Sequence, residues 1–212
     1  MDFSKNKKKQ RRTAHLITVD ENSERCIFSS GILDLIGFDV VVHKAFIHPI
    51  PYVSLLKTTE LIFEEILKSE YEWHYIFEDD INMIEHITLE EIIKYEKISN
   101  GFFFLGVCKY GDIGFTTQYE VNEHPVYKVS GCVRGSHAVA FSKTELKNFM
   151  KMYEFFTSGP NPILHIDVLY ELFTLHHPAN VVRMDLQSSI PGHFGIIYQD
   201  RERFESLIPY SP

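Results

Sequence analysis

A chain of 212 residues, 44% of them hydrophobic and 24% charged, has the size and composition of one globular domain, long enough to bury a core around a central sheet. Its formal net charge of −8 argues against a general nucleic-acid binder, and a small anionic ligand would need a bound cation or a few placed basic groups. Cys26, Cys108 and Cys132 follow no pairing pattern, which reads as thiols buried as small core residues in a reducing compartment.

No apolar run reaches membrane-spanning length, and the N-terminus carries Lys5, Lys7, Lys8, Lys9, Arg11 and Arg12 in place of an apolar secretory core. Residues 1–12 therefore read as a basic, flexible leader, and residues 13–212 as one domain with a cytoplasmic location, the host cytoplasm if the source is a virus. The tail Ile208-Pro209-Tyr210-Ser211-Pro212 has no clear stop, which suits the N-terminal part of a longer protein.

In chain order, Ala14 to Val19 reads as a first strand, closed by Asp20 and Glu21. Asn22 or Ser23 can cap a helix that runs to about Ile36, where Gly37 stops it. Phe38 to His43 follows as a second strand, and strand, capped helix, glycine, strand is a βαβ unit of a parallel sheet covered by helices. After the break at His48-Pro49-Ile50-Pro51, Leu55, Ile62, Phe63, Ile66 and Leu67 form one stripe of a helix. Trp73 to Phe77 is a strand that runs into Glu78-Asp79-Asp80, and Thr88 with Glu91 has capping-box spacing.

Phe102 to Val107 is a continuous apolar run, as expected of one central buried strand. Lys109 to Tyr127 shows no clear period and reads as a long loop. His137 to Phe141 is another strand. Ser142 and Glu145 form a second capping box before a helix with Leu146, Phe149, Met150 and Tyr153 inward. Ser158 to Pro162 breaks the chain before a helix carrying Asp167 to Phe173, and Val181-Val182 marks a late strand. From Gln187 the chain reads as a loop-rich tail containing Gly192, His193 and Gly195. There are no internal repeats. The fold expected is a single α/β domain with a mixed, mostly parallel sheet flanked by helices.

The chemistry centres on Glu78-Asp79-Asp80. Acids at the carboxyl end of a buried strand lie where open α/β sheets bind ligands. Like charges clustered there are unfavourable unless a cation neutralises them. Hard carboxylate oxygens suit Mg²⁺ or Mn²⁺, either of which can bridge to a diphosphate.

The phrase Tyr75-Ile76-Phe77-Glu78-Asp79-Asp80-Ile81 resembles the acidic signature of glycosyltransferases of the GT-A (Rossmann-like) fold, most of all family 25, the lipopolysaccharide and procollagen galactosyltransferase type. Other segments follow in that family's order. Ser23-Glu24-Arg25 resembles its first-helix start, Phe104-Leu105-Gly106 its central strand, and Gly135 to Ser142 its "G-x-HAY-x-x-S" strand, with Val139 where the Tyr would stand. Ile166-Asp167 and Gln187-Ser188-Ser189-Ile190 resemble its later pieces. The chain is also similar to glycosyltransferase domains of large DNA viruses of algae.

The resemblance implies roles. Glu78 and Asp80 would hold the metal, Mn²⁺ or Mg²⁺, with Glu78 also facing the ribose, while Asp79 points at the donor sugar or a supporting basic group. His193 is the third metal ligand, with His176-His177 the weaker choice. Asp167 is the general base of an inverting transfer, or else a simple helix cap. The nucleotide would lie over the first strand, with Thr18, Val19 and Asp20 at base and ribose, Arg25 on a phosphate, and His43 and Lys44 completing the pocket.

The activity implied is transfer of a hexose of glucose, galactose or rhamnose type from a UDP-sugar to a hydroxyl of a glycan or glycoprotein acceptor. A non-catalytic relic that binds a sugar nucleotide or glycan is the alternative. A metal-dependent phosphohydrolase is a third reading, against which the sequence offers no second acidic cluster for a two-metal site.

Overall fold

A computed structural model describes residues 11–109, 116–121, 124–129, 133–183, 186–189 and 193–204. Cys132, the leader up to residue 10 and the tail from residue 205 lie outside them. The elements are β1 (Thr13–Thr18), α1 (Glu24–Ile36), β2 (Asp39–Lys44), α2 (Pro51–Lys68), β3 (Trp73–Glu78), β4 (Ile81–Met83), α3 (Leu89–Glu96), β5 (Phe102–Phe104) and β6 (Gly106–Lys109). They continue with β7 (Thr116–Val121), β8 (His124–Val129), β9 (Val133–Arg134), β10 (Ala138–Ser142), α4 (Lys143–Thr157), α5 (Ile166–His176), β11 (Ala179–Val182), β12 (His193–Gly195) and β13 (Ile197–Gln199).

Local chemistry sets several boundaries. Ser23 Oγ accepts the Cys26 N–H at 3.1 Å and starts α1. Gly37 ends it at φ 109°, a left-handed conformation that suits glycine. Thr88 and Glu91 form the expected reciprocal capping box of α3. Ser142 accepts the Glu145 N–H at 3.1 Å, but Glu145 turns its carboxylate to His177, 2.6 Å away, so only half of the second box forms.

Among the described residues, the main sheet has eight strands in the order β2-β1-β3-β10-β5-β11-β8-β7. β2, β1 and β3 are parallel; β10 opposes both β3 and β5; β11 follows β5; and β8 opposes β11 and β7. The sheet is mixed, with only β10 and β8 reversed against the others. Strand residues alternate between two cores. Ile17, Ile76, Val139 and Phe141 meet α2, α4 and α5 on one face, while Leu16, Tyr75, Phe77 and Ala140 meet α1 and α3 on the other. α1 and α2 thus cover opposite faces on either side of β1. The crossover direction changes there, at the carboxyl ends of β1 and β3, where such sheets place ligands.

Four expectations are corrected. The run Phe102 to Val107 is not one strand. At Leu105 the chain leaves the main sheet: the Leu105 N–H bonds the Ala138 carbonyl at 2.9 Å, while its own carbonyl accepts the Ile197 N–H at 3.0 Å. Gly106 permits this crossing, because a Cβ there would lie 1.7 Å from the Ile197 carbonyl oxygen. Within the segment read as a long loop, β7 and β8 pair and extend the sheet from β11, a non-local pairing with no helical or alternating signal to announce it. The tail supplies β12, which pairs with β6, and β13, which pairs with β4. Finally, Arg12 belongs to the domain: its guanidinium donates to both carboxylate oxygens of the buried Glu96 at 2.6 and 2.7 Å. Cys26 and Cys108 are free and buried, as expected, and no described helix is long and apolar enough to cross a membrane.

Glu96 also accepts the Tyr75 hydroxyl at 2.7 Å, so Arg12 neutralises a carboxylate fixed inside the core. Arg12→Met should destabilise by about 3 kcal/mol, because it strands that charge. Adding Glu96→Gln should recover much of the loss. Urea denaturation midpoints of the single and double variants measure both, and an unshifted Arg12→Met midpoint would refute the role of the pair.

Candidate functional site

A cleft of about 310 Å³ opens at the carboxyl ends of β1 and β3. Its floor is Glu78-Asp79-Asp80. One side is Ile17, Thr18, Val19 and Arg25; the other is Ala45, Pro51, Ser54 and Leu55; Gln199 and Arg201 complete it. The acidic segment is pinned through its backbone. Ser29 of α1 donates to the Asp79 carbonyl at 2.8 Å, and the Asp200 N–H donates to the Asp80 carbonyl at 2.6 Å.

The three carboxylates have different partners. Asp79 accepts the Thr18 hydroxyl at 2.6 Å and pairs with Arg25 at 2.9 Å. Asp80 lies 3.4 Å from the same guanidinium and 3.5 Å from the Gln199 amide nitrogen at each oxygen, contacts at the limit of hydrogen bonding. Burial raises the Asp80 carboxyl above its ordinary value, with Arg25 opposing. Glu78 accepts the Ser136 hydroxyl at 2.5 Å, and burial, followed by the charges of Asp80 and Asp167, lifts it to about 8.

Asp167 sits in the first turn of α5, but the capping position belongs to His165, which makes no side-chain cap bond. The helix-cap reading of Asp167 is therefore set aside. Its Oδ1 is sealed from solvent without a hydrogen-bond partner. Burial raises its carboxyl, while the Ser136 hydroxyl and the Arg134 charge oppose the shift. Ser136 thus stands between Glu78 and Asp167 and links the acid of α5 to the cleft floor.

Of the residues expected at the site, Thr18, Val19, Arg25, Glu78, Asp79 and Asp80 line the cleft. Arg25, expected on a phosphate, instead spans Asp79 and Asp80, and is the basic group that Asp79 was expected to face. Asp20 is exposed and accepts the Asn22 N–H at 3.0 Å in a local turn. Lys44 is exposed, and His43, paired opposite Ile17, turns its ring to the α2 face and to His15, 2.8 Å away.

His193 lies on β12 opposite Cys108, 3.6 Å from the thiol sulfur, with its ring 6.1 Å from that of His137. Burial holds it neutral, lowered to about 4. It does not line the cleft. Among the described residues, the trio of His, Cys, Asp or Glu whose ligand atoms converge is His15, His43 and Glu65, not Glu78, Asp80 and His193. His177 is engaged by Glu145 and stacks on Phe173. Sequence reasoning missed Gln199 and Arg201, which sit at and just beyond β13, and the walls supplied by the start of α2. Ser136 stood inside a quoted segment, but no pattern singled it out.

No family model matches the chain, and no curated protein matches it. Among solved structures it is similar to A197 from STIV, at 16% identity over 80% of each chain with a TM-score of 0.47. It is also similar to UDP-glucose pyrophosphorylase complexed with UDP-glucose, at 14% identity over 80% of this chain and 71% of that one, with a TM-score of 0.41.

The lifted Glu78 carboxyl makes a pH prediction. Its folded value, about 8, lies above the ordinary 4.5, so in between the folded state holds a proton that the unfolded state has lost. Stability from this group is complete below the ordinary value and is lost as pH rises through about 8. Between about pH 5 and 8 the melting temperature should therefore fall, levelling off above that, and Glu78→Gln should flatten that slope. Equal slopes in the two proteins would refute the assignment.

Proposed function

We propose that the chain is a metal-dependent glycosyltransferase that binds a nucleoside-diphosphate sugar in the acid-floored cleft and transfers a hexose to a hydroxyl of a glycan. The observation that carries this reading is the gathering of three acids at the carboxyl ends of β1 and β3, with a separate buried carboxyl, Asp167, behind them whose charge acts on Glu78 and which is linked to them through Ser136.

The donor set fits a hard divalent cation, Mn²⁺ or Mg²⁺. Asp80 is all oxygen, and its contacts to Arg25 and Gln199 are long, 3.4 and 3.5 Å, with the Arg201 charge also acting on it, so an ion can compete for its lone pairs. Asp80 with Glu78 would hold it, the remaining positions going to diphosphate and water. When bound, the ion offsets charge on the leaving diphosphate. Asp79, fixed by Thr18, keeps Arg25 at the cleft, where a guanidinium released from Asp80 can meet a phosphate oxygen. Thr18 and Val19 offer backbone to the nucleoside. Asp167 is the base: burial raises its proton affinity, and its Oδ1, which lies behind the cleft lining and is covered in this conformation, would take the acceptor hydroxyl's proton once acceptor binding uncovers it.

UDP should raise the melting temperature more with Mn²⁺ than with EDTA, and Asp80→Asn should abolish the difference. Stabilisation by UDP that ignores both would remove the cation and leave the cleft arginines, Arg25 and Arg201, to neutralise the diphosphate. Asp167→Asn should keep UDP binding while transfer from a UDP-hexose falls by about two to four powers of ten. Full transfer activity in that variant would eliminate Asp167 as the base.

A further inference from the structure

On the face of the sheet covered by α2, three histidines lie in a row across three neighbouring strands. His43 of β2, His15 of β1 and His74 of β3 are linked ring to ring. His43 Nε2 is 2.8 Å from His15 Nδ1, and His15 Nε2 is 3.0 Å from His74 Nδ1. The far end fixes the direction of the row. His74 Nε2 meets the Tyr71 carbonyl at 3.3 Å, and a carbonyl only accepts. His74 therefore carries its proton on Nε2 and presents a bare Nδ1, to which His15 Nε2–H donates. In neutral His15 this leaves Nδ1 with a free lone pair, aimed away from the core toward His43. Burial keeps His15 neutral, lowered to about 3.

The near end of the row is then mismatched. To donate to His15 Nδ1, His43 must place its proton on Nε2, so its own Nδ1 is bare. That nitrogen faces the Glu65 carboxylate of α2 at 3.9 Å, an acceptor against an acceptor. A positive charge is what the arrangement lacks, and the ligand atoms of His15, His43 and Glu65 all lie within 4.8 Å of one another.

We propose that His15, His43 and Glu65 form a binding site for a divalent transition-metal ion of the zinc class, separate from the acids of the cleft. Two imidazoles and one carboxylate are a donor set for zinc rather than for Mg²⁺ or Ca²⁺. His15 supplies Nδ1, and His74 holds its ring and tautomer as outer partners of metal-bound histidines do. His43 supplies one ring nitrogen and Glu65 a carboxylate oxygen. With 56% of its side chain exposed, Glu65 gives the ion an entry path and leaves a position for water. The bound ion would tie edge strand β2 to β1 and α2, two residues before Ala45, which walls the cleft.

The test uses chelator-stripped full chain titrated with Co²⁺ alone, read by visible absorption, and with Zn²⁺ alone in competition. The first equivalent of Co²⁺ should give the intense bands of a low-coordinate nitrogen and oxygen site, and Zn²⁺ should displace it. His43→Ala and, separately, Glu65→Gln should each weaken the affinity at least tenfold, while Asp80→Asn leaves the bands intact. Glu65 is exposed on a helix, so its variant reports on ligation even if His43→Ala perturbs the edge strand. Absence of the bands in the wild type, or bands unchanged in Glu65→Gln, would overturn the site. Loss of the bands in Asp80→Asn alone would assign the cobalt to the cleft and overturn it equally.

Discussion

Three consecutive carboxylates at the end of a buried strand are the constraint around which the cleft is organised. Buried charge is tolerated only where it is paired, hydrogen-bonded or neutralised by protonation, and Glu78, Asp79 and Asp80 use all three routes. Asp79 has a guanidinium and a hydroxyl, Asp80 a looser share of the same guanidinium and an amide, and Glu78 a hydroxyl and a raised proton affinity. Each partner comes from a different element. Arg25 requires α1 to begin where Ser23 caps it; Gln199 requires β13 to return against β4; Ser136 requires the turn before β10. The crossing at Leu105 and Gly106, which admits the β12–β13 segment, serves the same end, since without it neither Gln199 nor Arg201 would reach the acids.

This arrangement divides labour by tightness. Asp79 is fixed at 2.6 and 2.9 Å and behaves as a positioning group for Arg25. Asp80 is more loosely held, at 3.4 and 3.5 Å, with the Arg201 charge also acting on it, and is the carboxylate better placed to exchange a partner. Because one guanidinium touches both acids, in the proposed function an anion drawing on Arg25 would loosen its hold on Asp80, and a cation on Asp80 would leave Arg25 with Asp79 alone, so the two ligands would favour one another's arrival without movement of the sheet.

What could be read from the sequence follows the range of the interaction. Ser23, Gly37 and the Thr88–Glu91 box are decided within a few residues, and each stands where expected. The βαβ start, the βββ core of β1, β2 and β3, and the acidic strand end were legible for the same reason: hydrophobic runs of the right length between local stops. The break at Leu105 was not, because Phe102 to Val107 is uniformly apolar and only the backbone of Ile197, far along the chain, decides where the strand changes sheet. β7, β8, β12 and β13 likewise exist by pairing with distant strands. Gln199 and Arg201 carried no signal, since their role depends on where β13 docks. His193 was assigned by its glycine-flanked position, yet β12 pairing turns it to Cys108.

His43 shows how small the margin is. Side chains along a strand alternate between faces, so a single residue decides which core a side chain meets. The register sets Ile17 opposite His43 and Thr18 opposite Lys44, and Ile17 belongs to the core beneath α2. Paired opposite Ile17, His43 is committed to the α2 face and to His15. The same alternation that withholds His43 from the nucleotide site puts it on one face with His15 and His74; His43 and His74 are each displaced by two residues from the His15 register, so that the row runs diagonally across the three strands. Three polar rings in an otherwise apolar layer are stable only as a connected row, and a connected row of neutral imidazoles has a direction. Its inner end is satisfied by the Tyr71 carbonyl; its outer end meets a carboxylate, and that is where the fold leaves a charge to be supplied.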